Sequence, residues 1–215
     1  SVKNFKKYIK KGYFNDNLSY LYNINFKNRK LNINSFKNYY SLRLLKKYIS
    51  IAVQAYIVID SNKYIVGKRK DVIPEKNFFE FAPSGGLKNF SMNDLYLQTK
   101  QECLEELNLN INYKNISLEG LYLDFSKNLL DFIFKINLKN LTILKDKITK
   151  SKEHSRLLIK EKNYLKKNVK QFTNTSKRII SKIVNEKYKV TFLLDKSNLW
   201  FEKQLKNYDF KLNSK

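Results

Sequence analysis

Gly85-Gly86 and, after a polar interval, Gln101-Glu102-Cys103-Leu104-Glu105-Glu106-Leu107 form the stretch on which the reading of this chain turns. Ser91, an N-cap residue answered by Asp94, predicts the start of a helix that runs from Met92 to Leu107. At about 100° per residue, Glu102, Glu105 and Glu106 share one face of that helix. Tyr96, Leu97, Cys103, Leu104 and Leu107 fall on the opposite face, so one side is expected to pack on a sheet while the other presents clustered carboxylates. Three carboxylates crowded together in a chain with only 19 acidic residues against 43 basic ones repel unless a cation compensates for them. Magnesium suits such a site, because it takes hard oxygen ligands and bridges carboxylates to substrate phosphates. The glycine pair is expected to make a tight turn with its backbone close to those phosphates.

Working back from the glycines, residues 77–81 predict a short strand, closed by Ala82-Pro83-Ser84. Residues 51–59 are rich in β-branched side chains with one polar interruption, Gln54, and read as a buried strand. Asp60-Ser61-Asn62-Lys63 then supplies a turn into a second strand over 64–69, giving a hairpin. Forward from the helix, strands are expected at 116–124, 130–138 and 155–159, and helices at 162–172 and 175–186. Ahead of the first buried strand the chain is basic and aromatic, with a short amphipathic helix expected at 3–9 and an exposed strand at 18–26. The order of elements predicts an α/β fold with a mixed sheet covered by helices on both faces.

The segment Gly86-Leu87-Lys88-Asn89-Phe90-Ser91-Met92-Asn93-Asp94-Leu95-Tyr96-Leu97-Gln98-Thr99-Lys100-Gln101-Glu102-Cys103-Leu104-Glu105-Glu106-Leu107-Asn108-Leu109 resembles the Nudix box, G-x5-E-x7-R-E-U-x-E-E-x-G-U, where U is a bulky aliphatic residue. The preceding Phe79-Glu80-Phe81-Ala82-Pro83-Ser84-Gly85 is similar to the strand and turn that enter the box, and with the flanking strands the resemblance covers roughly residues 50–183. Four departures stand out. One extra residue separates Gly86 from the glutamates. Asn93, with Asp94 beside it, stands at the family's first Glu. Gln101 replaces the Arg that braces the acidic side chains, and Asn108 replaces the closing Gly. Asn accepts the left-handed conformation that such a cap requires.

The resemblance implies a Nudix-type α/β/α sandwich with basic N-terminal and C-terminal extensions, divided as 1–48, a hydrolase domain over 49–186, and 187–215. It implies catalytic and metal-binding roles for Glu102, Glu105 and Glu106, with a carbonyl from Gly86 in the metal shell, and Mg2+ as the cofactor with Mn2+ as the alternative ion. Arg69 and Glu80 are the expected substrate contacts, and Glu153 or Glu119 an additional base or ligand. His154, beside Glu153, reads as a lone surface histidine. The implied activity is hydrolysis of a diphosphate bond in a nucleoside diphosphate linked to another group, a nucleotide sugar by preference. Hydrolysis of an RNA cap or 5′-phosphate and a catalytically weak Nudix-shaped binding module remain the alternatives.

Composition bounds these readings. With 215 residues, 42% hydrophobic and 14% aromatic, the chain is long and apolar enough for a sizeable core. A net charge of +24 points towards polyanions. The excess is nearly all Lys, however, with Arg only at Arg29, Arg43, Arg69, Arg156 and Arg178, and it accompanies abundant Asn, Ile, Tyr and Phe. That profile fits compositional drift, which makes a small nucleotide the expected substrate and leaves RNA and homodimerisation open. A single cysteine, Cys103, excludes an internal disulfide, and a single histidine excludes a His/Cys zinc site. The longest apolar stretch, 51–59, is too short to span a bilayer, so no membrane partner is expected and the cytoplasm is the expected setting.

Overall fold

The computed structural model describes residues 18–25, 30–36, 49–70, 75–87, 92–124, 129–139, 151, 153–185 and 193–194. The expected helix at 3–9 and the Ser91 cap lie outside the described residues. So does the second of the two ends expected of the 18–26 strand.

Everything is organised on β3 (Ile49–Ile59). Its β-branched run is buried on both faces. Ile51, Val53, Ala55, Ile57 and Ile59 enter one apolar layer, while Tyr56 and Val58 enter the other. One edge of β3 pairs in parallel with β8 (Leu129–Leu138), from Ser50 opposite Leu129 to Ile59 opposite Leu138. Three shorter antiparallel partners share the remaining edge. These are β1 (Leu18–Asn25) at Ile49 and Ser50, β6 (Ser84–Gly86) at Ala52 to Gln54, and β4 (Lys63–Arg69) at Val58 and Ile59. The β3–β4 hairpin turns through Asp60 (φ 47°) and Ser61 (φ 67°), polar residues in the left-handed region.

Beyond these, β2 (Lys30–Phe36) pairs with β1, β7 (Ile116–Asp124) pairs with β8, and β10 (Leu193–Leu194) runs parallel to β7. Over Val66 to Lys68, β4 pairs with β5 (Phe79–Phe81) on one edge and with β9 (His154–Glu161) on the other. Parallel and antiparallel pairs therefore coexist in one mixed sheet.

Helix α1 (Met92–Leu107) covers one face, where Leu95, Cys103 and Leu107 meet the odd-numbered side chains of β3 and Leu130, Phe132, Phe134 and Ile136 of β8. Helices α2 (Lys162–Lys167) and α3 (Asn174–Val184) cover the other, through Leu165, Ile179 and Ile180 against Tyr56, Val66, Phe81 and Ile133. This is the expected α/β/α sandwich, with the core split into two layers. None of the described helices is long and apolar enough to cross a membrane.

Three expectations need correction. Leu97 and Leu104 are 51% and 53% exposed, so the packed face of α1 is the arc Leu95–Thr99–Cys103–Glu106, and one of the three glutamates is turned into the protein. Gly85 and Gly86 make a short strand on β3 and not a turn. The helix expected over 162–172 stops at Lys167. Asn168 leaves the helical conformation, and its side-chain amide donates to the Tyr164 carbonyl at 2.9 Å before a separate 3-10 turn, Val169–Gln171.

Candidate active site

The end of α1 fixes the spacing of its carboxylates. Asn108 sits at φ 53°, its N–H reaching the Leu104 carbonyl at 3.0 Å while the Leu109 N–H reaches Cys103 at 3.0 Å. Asn in place of Gly thus closes the helix as expected. Within the helix, Gln98 Nε2 donates to Glu102 Oε1 and Gln101 Nε2 to Glu105 Oε1, both at 2.6 Å, so amides one turn earlier hold these two side chains. Glu105 is exposed and Glu102 half-buried.

Glu106, 3% exposed, accepts the Ser84 N–H on Oε1 at 2.8 Å. Its Oε2 is buried without a hydrogen-bond partner, the His154 Nδ1 standing 3.5 Å away. Burial pushes the Glu106 carboxyl well above the usual carboxylate range, with Glu153, Glu80 and Glu102 adding to the rise and the Ser84 N–H opposing it. The same surroundings act on Cys103. Burial first and then Glu106 and Glu102 push its thiol up, which leaves it a packing residue with no nucleophilic character.

Facing α1, strands β4, β5 and β9 deliver a second set of groups. Glu80 is held by its neighbours in the chain. The Phe81 N–H donates to Ser176 Oγ at 3.0 Å, Gln54 Nε2 donates to the Phe81 carbonyl at 3.0 Å, and the Thr173 N–H donates to the Phe79 carbonyl at 2.8 Å. A buried polar clamp at the start of α3 therefore fixes β5, and with it the Glu80 side chain. Arg69 Nη1 donates to Glu80 Oε2, and His154 Nε2 donates to Glu80 Oε1 at 2.9 Å. Burial pushes the Glu80 carboxyl up, but the hydrogen bond from His154 and the charge of Arg69 outweigh it and hold it below its ordinary value.

His154 reaches this position through an irregularity. Along β9, Leu157 and Ile159 face the α1 layer and Leu158 the other, which by alternation would send His154 to the far face with Leu158. The β4–β9 register shifts, however. Lys68 pairs with Arg156 but Arg69 pairs with His154, so Ser155 is an inserted residue and His154 changes face. The lone surface histidine of the sequence reading is thus corrected. Its side chain is fully buried between Glu80 and Glu106, with Ser151 Oγ 3.1 Å from Nδ1.

The two groups expected as additional bases separate. Glu153, next to His154 on the open rim, has its carboxyl raised by desolvation and then by Glu80, with Glu105 also contributing, so it belongs to the cluster. Glu119 lies at a register shift in β7 on the opposite face of the sheet, where it accepts from Lys182 and neighbours Tyr56. The structure does not bring it to the other carboxylates.

Glycine makes the close approaches. A Cβ at Gly85 would stand 1.9 Å from Glu102 Oε1, and one at Gly67 2.2 Å from the His154 ring. The first obstacle is the tip of a flexible side chain, so Gly85→Ala is expected to melt within about 2 °C of the parent. Moving the carboxylate by roughly 1 Å is expected to lower turnover by about tenfold or more. Thermal melting and steady-state kinetics on one preparation check this, and unchanged turnover would show that Glu102 need not lie against Gly85.

Among the described residues, no three His, Cys, Asp or Glu side chains are gathered closely enough to hold a metal ion. The carboxylates stand apart as like charges do, Glu102 towards Gly85 and Gln98, Glu105 towards Gln101, Glu106 towards Ser84. The donor set nevertheless fits a hard divalent cation. All the donors are oxygens, several carboxylates raise one another's affinity for protons, and one buried oxygen has no hydrogen bond.

No protein-family model and no curated protein matches the chain. Solved structures do. The chain is similar to DR0079 from Deinococcus radiodurans, at 11% identity and a TM-score of 0.55, over 76% of this chain and 98% of that one. It is also similar to the MutT protein from Methanosarcina mazei Go1, at 12% identity and a TM-score of 0.52, over 64% of this chain and 94% of that one. A third likeness is to a bifunctional NMN adenylyltransferase/ADP ribose pyrophosphatase from Francisella tularensis, complexed with AMP and a manganese ion. There the identity is 12% and the TM-score 0.50, over 64% of this chain, and the match spans only 42% of that protein's length. Together with the mixed sheet between α1 and the α2–α3 pair, these likenesses show that the chain has the Nudix fold.

Proposed function

We propose that the chain is a pyrophosphohydrolase, with 49–186 as its catalytic domain, that cleaves the diphosphate bond of a nucleoside diphosphate linked to another group, a nucleotide sugar by preference. The observation that carries this reading is the buried, unbonded Oε2 of Glu106 inside a cluster of carboxylates on a Nudix fold. A buried anionic oxygen without a partner is costly, and a function that fills it is its simplest explanation. The likeness of residues 79–86 to the corresponding strand and turn in Nudix proteins of sugar metabolism supports the choice of substrate, as does the nucleotide complex of the Francisella protein.

Glu102, Glu105, Glu106 and the Gly86 carbonyl would hold the magnesium ion, which when bound activates water and neutralises charge developing on the diphosphate. The protein's own groups prepare that chemistry. The Ser84 N–H holds one oxygen of Glu106 and leaves the other open beside His154, while Gln98 and Gln101 hold its two companions. Arg69 gives one donor to Glu80, and the remaining guanidinium donors meet a substrate phosphate. Glu153, its carboxyl raised by the cluster, takes up a proton from the attacking water at its carboxylate oxygens.

A magnesium-dependent screen of dinucleotides, nucleotide sugars, nucleoside triphosphates and capped RNA, read by product identity, tests the reading. Release of a nucleoside monophosphate from a small substrate is expected. Turnover of RNA alone would replace the small substrate with a transcript end. A folded protein inactive on every class would be a binding module.

A further inference from the structure

The three carboxylates of α1 are braced unequally. Glu102 and Glu105 each take a hydrogen bond from an amide on the helix itself. Glu106 has no such neighbour within α1. It is reached from outside, by the Ser84 N–H and by the His154 ring. That ring hydrogen-bonds Glu80 of β5 through Nε2, while Nδ1, 3.1 Å from Ser151 Oγ, stands 3.5 Å from Glu106 Oε2 of α1 without a hydrogen bond to it. It therefore links the strand side of the cluster to the helix side.

Two further features serve this placement. Ser155 is inserted into the β4–β9 ladder, and that insertion carries His154 to the α1 face. Gly67, opposite Glu80 in the β4–β5 register, leaves open the space that the imidazole fills. A ring that merely filled the core would require neither a bulge to aim it nor a place between two carboxylates on different elements.

We propose that His154 is a positioning residue, a bridge that couples the fixed Glu80 to Glu106 and sets the Glu106 carboxylate in place for the divalent cation. The proposal rests on the reading of the site as a metal-dependent hydrolase. His154 touches no substrate. It acts through Glu106, as a group one layer out from a metal does when it orients a ligand, and losing such a partner costs about 10- to 100-fold in metal affinity or activity.

His154→Gln separates the two halves of the bridge. The Gln amide nitrogen reaches where Nε2 lies and keeps Glu80 paired, while nothing stands at the Nδ1 position beside Glu106. The expected result is a folded protein whose Mn2+ dissociation constant, read by electron paramagnetic resonance without substrate, rises about tenfold or more. With magnesium, kcat is expected to fall by a similar factor at unchanged substrate KM. A folded variant with parental Mn2+ affinity and kcat would overturn the proposal.

Should the variant not fold, the parent decides the matter, because His154 is its only histidine and its ring resonances need no assignment. Titrating untagged protein with Mg2+ is expected to shift the imidazole nitrogen signals, with the midpoint of Mn2+ displacement. Unshifted signals in a protein that binds Mn2+ would overturn the bridge and leave the hydrolase reading standing. A parent that binds no Mn2+ and turns over no substrate would remove both.

Discussion

Glu106→Gln is expected to lower magnesium-dependent turnover by at least about 10²-fold while leaving the metal-free protein as stable as its parent or more so. The substitution keeps shape and helix propensity, and the amide oxygen still accepts the Ser84 N–H. What disappears is the negative charge at a buried oxygen with no hydrogen bond. The sign of the pH dependence follows from the raised carboxyl. Glu106 binds its proton more tightly folded than unfolded, so its contribution is most favourable below the unfolded value of about 4.3 and declines as pH rises towards the folded value. Melting in a chelator from pH 4 upwards should therefore show a loss in the parent that is smaller in the Gln variant. Glu105→Gln, on an exposed side chain, should impair turnover with little effect on melting. Full turnover in both variants would show that neither carboxylate serves the reaction.

The largest effect on stability is expected from Glu80→Ala. Glu80 and its two partners are nearly enclosed, with side-chain exposures of 5% for Glu80, 17% for Arg69 and 0% for His154. Truncation strands a guanidinium whose Nε already lacks a hydrogen bond, together with a buried imidazole. Removing one member of a buried pair costs about 3–5 kcal/mol, which in a chain of this size lowers the melting temperature by roughly 10 °C. Glu119→Gln is the internal comparison, because the Lys182–Glu119 pair is 21% and 25% exposed and is worth about 1 kcal/mol or less. Denaturant unfolding of the three proteins in a chelator measures both. A loss below about 1 kcal/mol for Glu80→Ala would show that the charges it leaves behind find water.

The legible parts of this chain were those governed by periodicity. β3, β4, β7, β8, α1 and α3 were each predicted to within a few residues, because β-branched runs and helical spacing reflect burial directly. The Nudix pattern around Glu102 was legible because its chemistry requires particular residues at particular intervals. What escaped was set by tertiary packing. Leu97 and Leu104 read as packed because they are apolar, yet the side of α1 that meets β6 is chosen by how the helix docks, and this buries Glu106 in their stead. β2 and β10 carried no recognised signal, since one is polar along much of its length and the other spans two residues. Glu80 was chosen by resemblance, and its partnership with His154 joins residues 74 positions apart. His154 reads as a surface histidine because the bulge at Ser155 that turns its ring inward leaves no mark in the sequence.

The inserted Ser155 makes the site depend on strand register as well as residue type. No side chain of Ser155 aims the imidazole. Its backbone bulges out between two paired residues, so the face that the ring takes is set by the pairing and not by the Ser155 side chain. Deleting Ser155 would leave His154 opposite Arg69 on the α1 face, whereas drawing Ser155 into regular pairing opposite Arg69 would turn the ring to the layer of Leu158 and Phe81. Every chemical group of the cluster would survive such a slip of register, and the cluster would still be dismantled.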